Sequence, residues 1–172
     1  MKNSLFLILL LKLCSSCNTS TELCRIKKSE ARRLDSTLFT QMELDTTLGK
    51  QAVYAFLDFA SQCASDSTSS VFFIKTAQVS RALKMDSVTE RSLNAFIDRY
   101  PKSANKPLAL FLKAQLFDED GPYHSETKAA SVYNEIIQQF PHSEWALSAK
   151  GALEFIGKTD LEISNELLLK TK

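Results

Sequence analysis

The sequence predicts an all-α fold in which helix pairs stack into a solenoid. Three observations carry that expectation. Only 4 Gly and 4 Pro punctuate 172 residues, which leaves room for long helices and little for the turns of a many-stranded β fold. No segment sustains apolar alternation of period two, whereas several place apolar residues at i, i+3, i+4 and i+7. The stretch "RYPKS" (99–103) returns as "QFPHS" (139–143), each time closing an apolar run of helical spacing. A recurrence of that length is the mark of helix pairs that bury a face only against a neighbouring pair.

The first residues fall outside that pattern. "MKNSLFLILLLKLCSSC" has Lys2 and an apolar run from Leu5 to Leu13, interrupted at Lys12. A transmembrane helix needs roughly 20 apolar residues, so the shorter run reads as a secretion signal. Ser15 and Ser16 stand directly before Cys17, and this resembles a bacterial lipobox, with Cys14 as the departure from its pattern. The resemblance implies cleavage after residue 16, lipidation of Cys17, and an anchor on a membrane surface; Asn18 after the Cys leans towards the outer membrane. The alternatives are an ordinary secretion signal and a buried apolar start. Residues 17–45 are then the lipidated Cys and a polar tether, including "NTSTELCRIKKSEARR" (18–33). Cys24 and Cys63 either pair in an oxidising compartment or remain free thiols.

Residues 46–170 carry the helical pattern. The first helix holds Val53, Phe56, Leu57 and Ala60, and the second holds Phe73, Ala77 and Val79 to Leu83. The third starts at an N-cap on Asp86 or Ser87, with Glu90 at capping-box spacing, and stops at Pro101. The fourth has Pro107 in its first turn and ends at the polar "DED". The fifth, "ETKAASVYNEIIQQF", stops at Pro141. The sixth starts at Ser143 as N-cap with Gly157 as C-cap, and a last amphipathic helix starts at Thr159 or Asp160. A repeating slot emerges at Ala77, Ala114 and Gly151, each small, with Phe73, Leu110 and Leu147 four residues earlier.

These spacings, with "RYPKS…LALFLKAQ" and "QFPHS…ALSAKGALEFIG", resemble tetratricopeptide repeats (TPR). They are similar in particular to the periplasmic TPR lipoproteins of the BamD family. Ala129, Tyr133 and Pro141 match the family's Ala, aromatic and Pro. The resemblance implies a right-handed α-solenoid of about three repeats plus an opening helix, with a concave face that binds protein or peptide. Its groove positions fall on Ile74, Gln78 and Arg81, then Phe111, Gln115 and Asp118, then Trp145, Ser148 and Phe155. Phe111 and Trp145 are the expected anchors, unless the last helix covers Trp145 and Phe155 as a cap. Phe73, Phe96, Tyr100, Tyr133 and Phe140 fall on the core stripes.

Little points to catalysis. His124 and His142 are the only histidines, and each sits in a turn sequence. Asp118, Glu119 and Asp120 lack the alternating spacing of a calcium loop, and neither a phosphate-binding loop nor a nucleophile elbow occurs. The formal net charge of +1 gives no electrostatic case for nucleic acid. The expectation is therefore a non-enzymatic, cofactor-free scaffold, lipid-anchored at the periplasmic face of the outer membrane. The rivals are a BamD-like accessory subunit of outer-membrane protein assembly and a secreted helical domain for a small molecule or metal.

Overall fold

The computed structural model describes residues 2–38, 40 and 45–170, with side chains from Ser20 onward except at Asp160, Leu167 and Lys170. Among these residues the chain is all-helical. Eight helices follow in order: α1 (Lys2–Leu38), α2 (Thr46–Gln62), α3 (Ser69–Ala82), α4 (Asp86–Arg99), α5 (Lys106–Asp118), α6 (Glu126–Gln139), α7 (Glu144–Leu153) and α8 (Asp160–Lys170). None of the described helices is long and apolar enough to cross a membrane. The chain divides into two compact units, Met1–Val79 and Ser80–Lys172.

In the first unit, α2 starts at Asp45, whose side chain accepts from the Thr47 and Leu48 amides and satisfies two of the helix's free donors. Ala52, Val53, Phe56, Phe59 and Ala60 form its buried stripe. The Phe72 ring of α3 sits between Phe56 and Phe59, with centroids at 5.1 and 5.3 Å. The opposing surface comes from the segment expected to be a tether. From Ser20 to Leu38 that segment is helical, and Ala31, Leu34 and Leu38 are buried. Its polar composition hid a narrow apolar stripe. Cys24, Lys27, Lys28, Ala31, Leu34, Asp35 and Leu38 share one helical face, and three of the seven are charged. Those charges are paired: Lys27 with Asp58, Lys28 with Asp66 at 2.8 Å, and Asp35 with Lys75 at 2.5 Å. Cys24 and Cys63 form a disulfide, with Cα atoms 5.7 Å apart.

In the second unit, α5 packs against α4, α6 and α7. Leu110, Ala114 and Phe117 of α5 meet Ala129, Tyr133 and Ile136 of α6 and Ala146 and Ala149 of α7 in one core. The two recurring stops have one geometry. Tyr100 caps α4 at φ −124°, ψ 54°, and Phe140 caps α6 at φ −132°, ψ 50°. The cap amides donate to Phe96 O and Ile136 O, and the Ser103 and Ser143 amides fold back onto Tyr100 O and Phe140 O. Pro follows each cap because it cannot continue a helix. Ser143 then starts α7 by accepting from the Ala146 amide.

Three expectations are corrected here. The Ser87–Glu90 capping box does not form: α4 begins at Asp86, and its N-cap is Met85, which makes no side-chain cap bond. The end of α3 sets that start. Lys84 adopts φ 54°, its amide donates to Arg81 O, and the Met85 amide donates to Ser80 O, a Schellman closure that runs straight into α4. A box does form at α8, where the Thr159 amide donates to Glu162 and the Glu162 amide to Thr159 Oγ1. Second, Gly157 does not cap α7. The helix ends at Leu153, and Gly157 closes the following turn at φ 73°, with the Glu126 carboxylate 3.0 Å from where a Cβ would stand. Third, the small-residue slot holds at Ala77 and Ala114, both buried, but a Cβ on Gly151 would meet nothing within 4 Å. Leu147 is 75% exposed, whereas its counterparts Phe73 and Leu110 are buried. Among the described residues, α7 packs through Ala146 and Ala149 and leaves the Leu147 and Gly151 positions of the slot unfilled.

Candidate functional site

The second unit holds a cleft on α5. Phe111, Gln115 and Asp118 are spaced i, i+4 and i+7 on α5, so one face of that helix presents all three. With Glu119, Tyr133 and Ala152 they line a cleft of about 200 Å³. A larger space of about 610 Å³ shares Asp118, Glu119 and Ala152 and adds Asp120, His124, Glu126, Phe155 and Lys158.

Aromatic rings form one wall. Phe111 lies 5.2 Å from the Trp145 ring and 5.6 Å from the Tyr133 ring, both tilted. Such a pair contributes about 0.5–1.5 kcal/mol beyond the area it buries. Both Phe111 and Trp145 are half-buried and pack against the core. Tyr133 was expected in the core and is buried there, but its hydroxyl reaches the cleft and donates to Asp118 Oδ2 at 3.2 Å. Sequence spacing could assign the ring of Tyr133 and not the reach of its Oη.

The polar end is electrostatically divided. Burial pushes the Asp118 carboxyl above its ordinary range, against the hydrogen bond from Tyr133. Burial acts on Glu119 in the same direction, but the hydrogen bond and charge of Arg81, with those of Lys84, hold it below the usual range. Burial and the neighbouring Asp118 raise the Tyr133 phenol, which therefore stays protonated at neutral pH. Adjacent carboxylates thus differ: one is neutralised by cations, the other rests on a phenol.

The expected groove residues separate accordingly. Phe111, Gln115 and Asp118 converge on the cleft, and Trp145 stacks beside it. Arg81 reaches it through Glu119. Ser148 is exposed and bonds its own helix at Glu144 O. Phe155 lines the larger space, with Lys158 Nζ 5.6 Å from its ring. Gln78 is exposed in the first unit, and Ile74 is buried there as core, not groove. Cys17 lies outside the described side chains. Among the described residues, no group of three or more His, Cys, Asp or Glu could hold a metal ion. No family model and no curated protein matches the chain.

Proposed function

We propose that this chain is a lipid-anchored scaffold of TPR-like helix pairs that docks a protein or peptide partner at the periplasmic face of the outer membrane. The observation that carries the docking part is the convergence of Phe111, Gln115 and Asp118 on one cleft that Tyr133 also lines, with Trp145 packed against Phe111 beside it. Aromatic faces beside a few oriented polar groups suit a peptide anchor. A small-molecule site would favour a mostly apolar, enclosing wall, whereas the larger space is lined mainly by charged and polar side chains. The repeated stops at Tyr100 and Phe140, with small buried residues at Ala77 and Ala114, support the TPR-like reading. The Cys24–Cys63 disulfide supports an oxidising compartment.

Two experiments test the two halves. Fatty-acid labelling of growing cells should mark the wild type and not Cys17→Ala; equal labelling removes the anchor. A photo-crosslinking amino acid at Gln115 should trap a discrete partner that the same probe at exposed Ser148 does not, and Phe111→Ala should weaken trapping at least about tenfold. Trapping indifferent to Phe111 would remove the cleft from the docking surface.

A further inference from the structure

The cleft of the second unit sets apolar surface beside carboxylates. Phe111, Tyr133 and Ala152 line it together with Asp118 and Glu119, and the adjoining space adds Asp120 and Glu126, with His124 and Lys158. The cations around these carboxylates are unevenly shared. Arg81 and Lys84 both pair with Glu119, and Lys158 pairs with Glu166 of α8 at 2.5 Å. Among the described residues, no Lys or Arg forms an ion pair with Asp118, Asp120 or Glu126. Burial, with the charges of Glu119 and Glu126 added to it, holds the Asp118 carboxyl above its ordinary range despite the Tyr133 hydrogen bond and the charge of His124. A cation brought into the cleft would relieve that cost. A metal ion does not suit the place, since no group of three or more His, Cys, Asp or Glu among the described residues could hold one. The cation that fits carries its own hydrogen-bond donors on an apolar body, which is the make-up of a Lys or Arg side chain.

We propose that the cleft receives a basic side chain of the partner peptide, with its aliphatic stem along Phe111 and Tyr133 and its charged head at Asp118. This deepens the docking reading and rests on it. The Tyr133 ring lies 5.6 Å from Phe111, and its hydroxyl touches Asp118, so apolar wall and carboxylate are continuous. The rings favour the charge as well as the stem, because a cation within about 6 Å of an aromatic face is attracted to it. The same carboxylates repel an acidic residue, so the cleft discriminates by sign of charge.

The test pans a displayed library of random peptides on the full chain in detergent micelles. Peptides that Phe111→Ala weakens are counted as cleft ligands. Lys or Arg should dominate one position of these ligands. In the tightest of them, replacing that residue by norleucine, which keeps a straight apolar stem without the charge, should lower affinity at least about tenfold, as read by fluorescence anisotropy of the labelled peptide. Asp118→Asn, which keeps an acceptor for Tyr133, should lose as much for the basic peptide and nothing further for the norleucine one, because both changes remove the same contact. Glu126→Gln, which leaves the Tyr133 bond alone, should weaken the basic peptide less, and Glu144→Gln, on an exposed residue outside the cleft, should not weaken it. If Asp118→Asn does not fold, the norleucine peptide on wild type decides the matter alone. Cleft ligands without a basic residue, or as tight with norleucine, overturn the proposal and leave the docking reading standing. A library that yields no cleft ligand removes the docking reading, and the proposal with it.

Discussion

Tyr133 Oη donates to Asp118 Oδ2 at 3.2 Å, which joins the largest fully buried side chain among the described residues to a carboxylate of the cleft. Asp118 is held above its ordinary pKa chiefly by burial, so between the ordinary and the raised value the folded state binds more protons than the unfolded one. Stability from this group is full below the unfolded pKa of about 4 and is lost as pH rises through the folded value. Asp118→Asn keeps an acceptor for Tyr133 and removes the charge, so it should abolish this slope. Tyr133→Phe should cost about 1 kcal/mol and steepen the slope by removing the bond that favours the charged form. Urea denaturation between pH 4 and 8 reads both, and parallel profiles for wild type and Asp118→Asn would contradict the assignment.

Trp145 is the only tryptophan of the chain and stacks on Phe111. Its fluorescence is therefore a reporter for the cleft wall. Phe111→Ala should expose the indole and shift its emission to the red, with a stability loss of about 2–3 kcal/mol, below the 3–5 typical of a fully buried Phe because Phe111 is half-buried. Phe111→Leu should restore most of the stability and little of the aromatic contact. Emission unaltered by either change would show that Trp145 takes its environment from elsewhere.

The helices were legible because period, caps and stops agree in the same sequence. Pro101 and Pro141 end α4 and α6 where apolar runs end, and Ser143 caps α7 as its position requires. What was not legible depended on partners distant in sequence. The face of α1 reads as polar because Lys27, Lys28 and Asp35 interrupt Ala31 and Leu34, and only Asp58, Asp66 and Lys75 explain those charges. Of the cleft, α5 was legible because Phe111, Gln115 and Asp118 lie on one helix. Tyr133, Glu119 and Ala152 were not, since sequence spacing cannot show how far a side chain reaches across a packed pair.

Leu110 and Leu147 share a slot in the repeat pattern but not an environment: one is 3% exposed, the other 75%. Leu110→Ala should therefore cost about 2–5 kcal/mol through lost burial and the cavity left behind. Leu147→Ser should stay within about 0.5 kcal/mol of wild type, as exposed positions do. Guanidinium denaturation distinguishes the two directly. A loss at Leu147 as large as that at Leu110 would mean that α7 buries its outer face in solution.

Asp66 gathers four donor contacts in the turn before α3: Lys28 Nζ reaches both carboxylate oxygens, at 2.9 and 2.8 Å, and the Thr68 amide and hydroxyl donate at 2.8 and 2.7 Å. Burial works against its charge, yet these bonds and the Lys28 charge outweigh it and bring the carboxyl down to about 2. A lowered pKa means that the unfolded state takes up the proton first. The contribution is thus fully present above the unfolded value of about 4 and disappears as pH falls towards about 2. After solvent screening of a partly exposed pair, it should amount to about 1 kcal/mol at neutral pH. Asp66→Asn retains an acceptor for Thr68 and loses only the ion pair. Its deficit relative to wild type should be constant from pH 7 to about 4 and close between pH 4 and 2, as seen in denaturant titrations at each pH. Lys28→Ala should reproduce most of that deficit, and the two changes together should cost less than their sum, because each removes the same attachment of α1. A deficit independent of pH down to 2 would show that the Asp66 charge, and with it the Lys28 contact, does not fasten this end of the helix.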